Sequence, residues 1–152
     1  MWPNRRVITS SRATLSIYSE ALSVANITRR LGIEPHDSAE RGAPTREALA
    51  GQALAPERMA NQRTKWSYDA DPALIDASDH SGFAAVQVIA DVFCDHADAL
   101  RGLREDCEII LWWSGDSDSS QGGFVIPAPL LICLAALGCD LYGTAFLIGD
   151  DE

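Results

Sequence analysis

The residues best suited to metal chemistry lie close together, at Asp91, Cys94 and His96. Thiolates, imidazoles and carboxylates are the usual zinc ligands, and ligands that share a helix recur at i, i+3 or i+4. Cys94 and His96 are two positions apart and fall on different sides of a helix. Asp91 and Asp95 have helical spacing, but a solvated acidic face explains them equally well. We therefore predict no bound metal and no cofactor.

No catalytic residue set is recognisable. Asp116-Ser-Asp118 resembles the start of a calcium loop, but that pattern requires Gly at position 6 and Glu at position 12. The chain has Gln121 and Pro127 there. It also has no Gly-x-Ser-x-Gly elbow, phosphate loop or dinucleotide fingerprint. We predict no catalytic residues, although a hydrolase with an unrecognised site stays open as an alternative.

Basic and aromatic residues around one long loop form the candidate ligand-binding set. They are Arg29, Arg30, Arg41, Arg46, Arg63, Trp66 and Tyr68. Guanidinium groups bind carboxylates and phosphates through two parallel hydrogen bonds, so converging arginines would suit an anionic small molecule. The alternative is that these arginines neutralise the protein's own carboxylates, since surface ion pairs are common and weak.

Charge is distributed unevenly along the 152 residues, whose formal net charge is −10. Residues 1–66 hold 10 Lys and Arg against 6 Asp and Glu, a balance of +4. Residues 67–152 hold 2 against 16, a balance of −14. Such acidity argues against binding to nucleic acid or to an anionic membrane. The leading hypothesis is a small non-enzymatic interaction protein, for example an immunity-type inhibitor that binds a basic toxin or nuclease. A sensor of an anionic small molecule is the main alternative.

Cysteine usage and hydropathy indicate a cytoplasmic protein. The cysteines are Cys94, Cys107, Cys133 and Cys139. None forms a Cys-x-x-Cys pair, so we expect four buried free thiols in a reducing compartment. The longest apolar run, 124–139, is shorter than a bilayer span and contains two prolines. No signal peptide is recognisable.

Hydrophobic periodicity predicts an α+β domain with a two-layer, mainly antiparallel sheet and helices on one face. The predicted strands are 13–18, 64–69, 107–113, 124–126 and 141–148, and the predicted helices are 24–31, 79–102 and 127–137. Strands 107–113 and 124–126 are expected to pair as a hairpin. Ser23 is the expected N-cap of the first helix and Gly32 its left-handed end. Asp79 or Ser78 is expected to cap the second helix.

One domain accounts for most of the chain. We expect a flexible tail at 1–10, a single domain at 11–148 and an acidic tail at 149–152. Residues 34–63 form a long loop insertion with helical turns at 45–49 and 56–62. The predicted buried core includes Phe93, Ile109, Leu111, Leu134 and Leu137. Of Trp112 and Trp113, which face opposite ways on one strand, at least one is expected in the core.

Several landmarks resemble a bacterial domain-of-unknown-function family, number 4279. They are the segment from Leu22 to Pro35 with its Ile-Thr, Leu-Gly and Pro, then Gly42, Trp66 and the late Gly-Gly-Phe before a Leu-rich helix. The resemblance extends from Ser11 to Phe146. It implies the fold and a bacterial or phage origin, and it implies no catalytic residue.

Overall fold

The computed structural model describes residues 7–119 and 124–148, which form a five-stranded sheet with helices packed against it. The strands are β1 (Ile8–Ser19), β2 (Asp37–Ala39), β3 (Thr64–Asp69), β4 (Cys107–Ser117) and β5 (Asp140–Leu147). The helices are α1 (Val24–Leu31), α2 (Arg46–Leu49), α3 (Ala84–Phe93), α4 (Ala97–Leu103) and α5 (Ala128–Leu137). Short 3-10 helices span Pro56–Arg58, Pro72–Leu74 and Cys94–His96.

The strands are ordered β2-β3-β1-β4-β5 across the sheet, with β1 at the centre. Neighbouring strands are antiparallel except for β4 and β5, which run parallel. This confirms the predicted α+β fold with a mostly antiparallel sheet. The parallel pair requires a crossover connection, and α5 provides it.

The predicted hairpin between 107–113 and 124–126 is wrong. β4 continues to Ser117 because it pairs with β1 along almost its whole length, ending opposite Ile8. Residues 124–127 form no strand, and the backbone N–H of Val125 donates to the Ser81 carbonyl oxygen at 3.3 Å. The turn predicted between these strands, at 114–123, is wrong in its first part, because residues 114–117 continue β4. Residues 120–123 lie outside the described residues.

Alternating side chains place the core on one face of the sheet. Leu15 and Ile17 on β1 are fully buried, as are Leu111 on β4 and Trp66 on β3. These residues pack under the helices, and the opposite face of the sheet is left without a helix layer. Of the two adjacent tryptophans, Trp113 is in the core, and Trp112 on the open face is 41% exposed.

Four of the five predicted core residues are buried. Phe93, Leu111 and Leu137 are fully inaccessible and Ile109 is 7% exposed. Leu134 is half-buried, so that part of the prediction was wrong. The reason is that α5 covers the core with only one side and leaves its other side open.

The ends of α1 agree with the sequence, whereas the start of the second predicted helix does not. Ser23 Oγ accepts a hydrogen bond from the N–H of Asn26 at 3.2 Å, and Gly32 has φ of 71°. The helix predicted at 79–102 is divided into α3, a 3-10 turn and α4. Asp79 does not cap α3, because its carboxylate binds the N–H groups of Ser81 and Gly82 in the preceding turn.

The domain boundaries differ in detail from the expected ones. β1 begins at Ile8, inside the predicted tail 1–10, of which residues 1–6 lie outside the described residues. The loop 34–63 contains β2, α2 and the 3-10 helix Pro56–Arg58, so both predicted helical turns are present. A bridge between Pro44 and Ala60 closes the middle of this loop. The predicted acidic tail 149–152 lies outside the described residues.

Candidate interaction site

Each of the five predicted arginines already contacts another group of the chain. The contacts are Arg29 to Asn26 Oδ1 (2.7 Å), Arg30 to Asp106 Oδ2 (3.5 Å), Arg41 to the Glu20 carbonyl oxygen (2.6 Å), Arg46 to Asp37 Oδ1 (2.6 Å) and Arg63 to Glu108 Oε2 (2.6 Å). Three of these acceptors are carboxylates of the chain itself. The pairs are exposed, so each adds little stability, but they occupy groups that an anion would need.

The structure brings part of this arginine set to one end of the sheet, where β1 ends and β4 begins. Arg63, together with Arg104, which is outside the predicted set, lines a shallow hollow there. The Arg63 guanidinium carbon also lies 4.5 Å from the centroid of the Tyr18 ring. The carboxylates of the same hollow outnumber its guanidinium groups; they are Glu20, Glu105, Asp106 and Glu108. Arg46 is bound elsewhere, to Asp37 on β2.

The two predicted aromatic site residues have different positions. Trp66 is fully buried, and its indole Nε1 donates to Thr28 Oγ1 at 3.1 Å. It therefore lies in the core and cannot line a surface site, which corrects its assignment as ligand-binding. Tyr68 is half-buried and stacks on His36 with ring centroids 4.1 Å apart.

The residues considered for metal binding are engaged otherwise. Cys94 is bonded to Cys133 of α5, which corrects the expectation of four free thiols. His96 Nδ1 lies 3.2 Å from the Val92 carbonyl oxygen. Within 7–119 and 124–148, no three His, Cys, Asp or Glu residues are placed to hold a metal ion.

A hollow of about 240 Å³ beside the start of α3 combines acidic and apolar side chains. Its carboxylates are Asp76, Asp79 and Asp91, and its apolar lining includes Phe83 and Leu130. The 3-10 helix Pro72–Leu74 supplies Leu74, and the irregular segment 75–83 after it supplies Asp76 and Asp79. Asp91 lies on α3 and Leu130 on α5. Sequence analysis did not identify this site.

The three carboxylates are held by neutral hydrogen-bond donors. Asp76 Oδ1 accepts from the Oγ (2.7 Å) and the N–H (2.8 Å) of Ser78, and these bonds lower the pKa of Asp76 below its usual 3.8. Asp91 accepts from Gln87 Nε2 at 2.8 Å. The charge of nearby His80 also lowers the pKa of Asp76.

These carboxylates have no neighbouring Lys or Arg in the sequence. Residues 67–100 contain seven Asp and no Lys or Arg. Among the described residues, no ion pair joins Asp76, Asp79 or Asp91 to a basic side chain. The absence of Lys and Arg from so long a stretch is the sequence signal that could have located the site.

Exposed apolar side chains flank the hollow. Leu74 lines it and is 65% exposed. Phe124 and Val125 are 55% and 61% exposed, and they are held beside the hollow because Phe124 packs on Phe83 with ring centroids 5.4 Å apart. A group of exposed apolar side chains marks a site of interaction with another molecule.

The fold is that of a small two-layer α+β domain whose candidate site is a surface hollow with apolar flanks. The chain belongs to the family described as Domain of unknown function (DUF4279), which matches residues 9–142, most of its length. No curated protein matches the chain, and no solved structure matches it either. In the part of the chain that the structure describes, no helix has both the length and the apolar composition needed to cross a bilayer.

Proposed function

We propose that the protein is a non-enzymatic interaction protein that binds a basic protein through the acidic hollow, as an immunity-type inhibitor of a toxin or nuclease would. The observation that carries this proposal is the juxtaposition of Asp76, Asp79 and Asp91 with the exposed side chains of Leu74 and Phe124. Apolar anchors supply affinity in protein interfaces, and charges around them supply orientation and fast association.

The charge distribution of the whole chain supports the same function. The two basic residues after residue 66 are Arg101 and Arg104, against 16 acidic residues. Arg101 is paired with Asp98 on α4. The hollow therefore lies in the strongly negative part of the chain, and its field would attract a basic protein from a distance of about one Debye length, ~10 Å at 0.1 M salt.

The contacts of the arginines favour this function over the sensor of an anionic small molecule. Arg30, Arg46 and Arg63 bind carboxylates of the chain, and Trp66 is buried. An anion would have to displace these carboxylates and would enter a hollow where negative groups outnumber positive ones.

A bacterial origin and a cytoplasmic location are part of the proposal. In a reducing cytoplasm, Cys94 and Cys133 would be held mainly as thiols by the cellular thiol pool. Their Cα atoms are 6.3 Å apart, a separation that a disulfide spans without backbone movement. Whether Cys94 and Cys133 are thiols or a disulfide in freshly lysed, acid-quenched cells of the native host tests the cytoplasmic location.

Affinity capture with matched variants tests the function. The baits are the wild type, Asp76→Asn with Asp91→Asn in the hollow, and Glu47→Gln with Glu57→Gln in the long loop, which removes the same charge elsewhere. We expect a basic protein of the native host to be retained by the wild type and the control and lost from the hollow variant. Mass spectrometry of each eluate identifies it.

The captured protein is then purified and its affinity measured by calorimetry. Raising salt from about 0.05 M to about 0.5 M should weaken binding at least tenfold, because the Debye length shortens several-fold. The proposal fails if all three baits retain the same proteins, or if the affinity does not change with salt.

A further inference from the structure

Among the described residues, β5 has only one neighbouring strand, and its side chains are exposed on both faces of the sheet. It lies at the edge beside β4, and seven of its eight residues are exposed, with Leu141 half-buried. Tyr142 is 49% exposed, Phe146 51% and Leu147 61%. An exposed, apolar edge strand is a template for pairing with another strand.

The free edge of β5 lacks the devices that keep edge strands unpaired. Natural sheets protect an edge with charges, prolines or bulges. After Asp140, β5 contains no charged residue and no proline, and its register with β4 is regular to Leu147. Ile148 donates its N–H to the Ser117 carbonyl oxygen at 2.9 Å. Because backbone groups alternate in direction along a strand, Gly143, Ala145 and the other odd-numbered residues direct theirs away from the sheet.

The outer side of α5 is apolar as well. Its exposed residues are Ala128, Pro129, Leu131, Ile132, Ala135 and Ala136. Surface helices normally place polar residues on this side. α5 connects the adjacent strands β4 and β5 and ends three residues before Asp140.

The charge distribution indicates which kind of molecule binds the apolar surfaces of β5 and α5. Residues 124–139 and 141–148 carry no charged side chain, although the chain as a whole has a net charge of −10. A basic protein would be attracted to the carboxylates elsewhere on the chain, whereas two copies of this chain repel each other except where they meet through neutral surface. The neutral surface is therefore suited to a second copy.

We propose that two copies form a dimer in which β5 pairs antiparallel with β5 of the second copy, about a two-fold axis at Thr144. In this register Gly143 faces Ala145 of the second copy, and Leu141 faces Leu147. The outward N–H and C=O groups of these four residues then form the backbone hydrogen bonds between the two β5 strands. Such an isologous interface closes on itself and removes both free edges.

The same register creates an aromatic pair on the open face of the sheet. Tyr142 faces Phe146 of the second copy, and the two-fold axis repeats the pair. Tyr142 already packs on Trp112 with ring centroids 5.2 Å apart, so each Phe146 would extend an existing aromatic row. Cross-strand aromatic pairs are among the more stabilising contacts in antiparallel sheets.

Sedimentation equilibrium with a complementary charge pair tests the dimer. The wild type should have about twice the chain mass of 16.4 kDa. Tyr142→Glu should give a monomer, because it places an unpaired carboxylate against the electron-rich ring of Phe146. Phe146→Lys should weaken the dimer less, because its ammonium group can form a cation–π contact with the Tyr142 ring of the second copy. The double variant Tyr142→Glu with Phe146→Lys should restore the dimer, since each new carboxylate then faces a new ammonium group across the axis. Leu49→Lys and Leu49→Glu, at a position 74% exposed on α2, are the matched controls and should stay dimeric.

The outcomes separate this proposal from the binding of a basic protein. A monomeric wild type at about 100 µM, well above the Kd of an ordinary stable dimer, overturns it. A Tyr142→Glu variant that stays dimeric overturns the use of β5, and a double variant that stays monomeric overturns the two-fold register. Circular dichroism confirms that each variant is folded. The affinity for a basic protein depends on the hollow, so either proposal can fail while the other holds.

Discussion

Trp113 Nε1 donates a hydrogen bond to the carbonyl oxygen of Gly82 at 3.0 Å, and this bond ties the sheet to the turn that precedes α3. The indole also stacks on Phe83, with ring centroids 4.7 Å apart. Both Gly82 and Phe83 adjoin the acidic hollow. A core residue of β4 therefore helps to fix the segment that carries the candidate site.

Trp113→Phe should destabilise the protein, because it leaves the Gly82 carbonyl oxygen without its buried donor. An unsatisfied buried polar group costs about 1–3 kcal/mol, and the smaller ring adds a cavity. Trp112→Phe is the matched control; Trp112 is 41% exposed, so its replacement should change stability by less than about 0.5 kcal/mol. Urea denaturation measures both values, and equal losses would contradict the role given to the hydrogen bond.

The two sides of α5 should respond very differently to truncation. Leu137 is fully buried and Ile132 is 72% exposed on the same helix. Leu137→Ala should lower the free energy of unfolding by about 2–5 kcal/mol, since it opens a cavity in the core. Ile132→Ala should change the stability of the monomer by less than about 0.5 kcal/mol. Denaturant melts at a low protein concentration, where a dimer is dissociated, provide the test.

Much of the fold was predictable because local patterns determine it. The alternation in β1 placed Leu15 and Ile17 in the core, and Ser23 and Gly32 marked the ends of α1. The hairpin was mispredicted because a short apolar segment such as 124–126 reads equally well as a strand or as irregular chain. The direction of β5 relative to β4 depends on the crossover through α5, which periodicity does not encode.

The candidate site was less predictable, because it depends on packing between distant segments. Leu74 and Leu130 meet at one hollow although they are far apart in sequence. The arginines were identifiable as a set, but their acceptors, such as Asp106 and Glu108, become neighbours only in the folded sheet. The absence of Lys and Arg between residues 67 and 100 was visible in the sequence and would have indicated the acidic side.

The purified, air-oxidised protein should contain two free thiols instead of four. Cys94 and Cys133 form a disulfide, whereas Cys107 and Cys139 are free. The bond closes a loop with a sequence separation of 39, so its reduction should destabilise the protein by about 3–4 kcal/mol. Thiol titration in denaturant without reductant gives the count, and melts with and without reductant give the stability. A count of four would contradict the bond.

Cys107 and Cys139 should react slowly with alkylating reagents in the folded protein. Burial raises the pKa of both thiols above their usual 9.0, which lowers the fraction of reactive thiolate at neutral pH. A raised folded-state pKa means that the fold favours the protonated thiol. This contribution to stability is therefore fully present below about pH 9 and is lost as the pH rises through the folded-state pKa. The pH dependence of iodoacetamide labelling, in folded and urea-unfolded protein, gives both pKa values. Cys107→Ser and Cys139→Ser assign each curve to its thiol. If a folded-state curve coincides with the unfolded one, burial does not control that thiol.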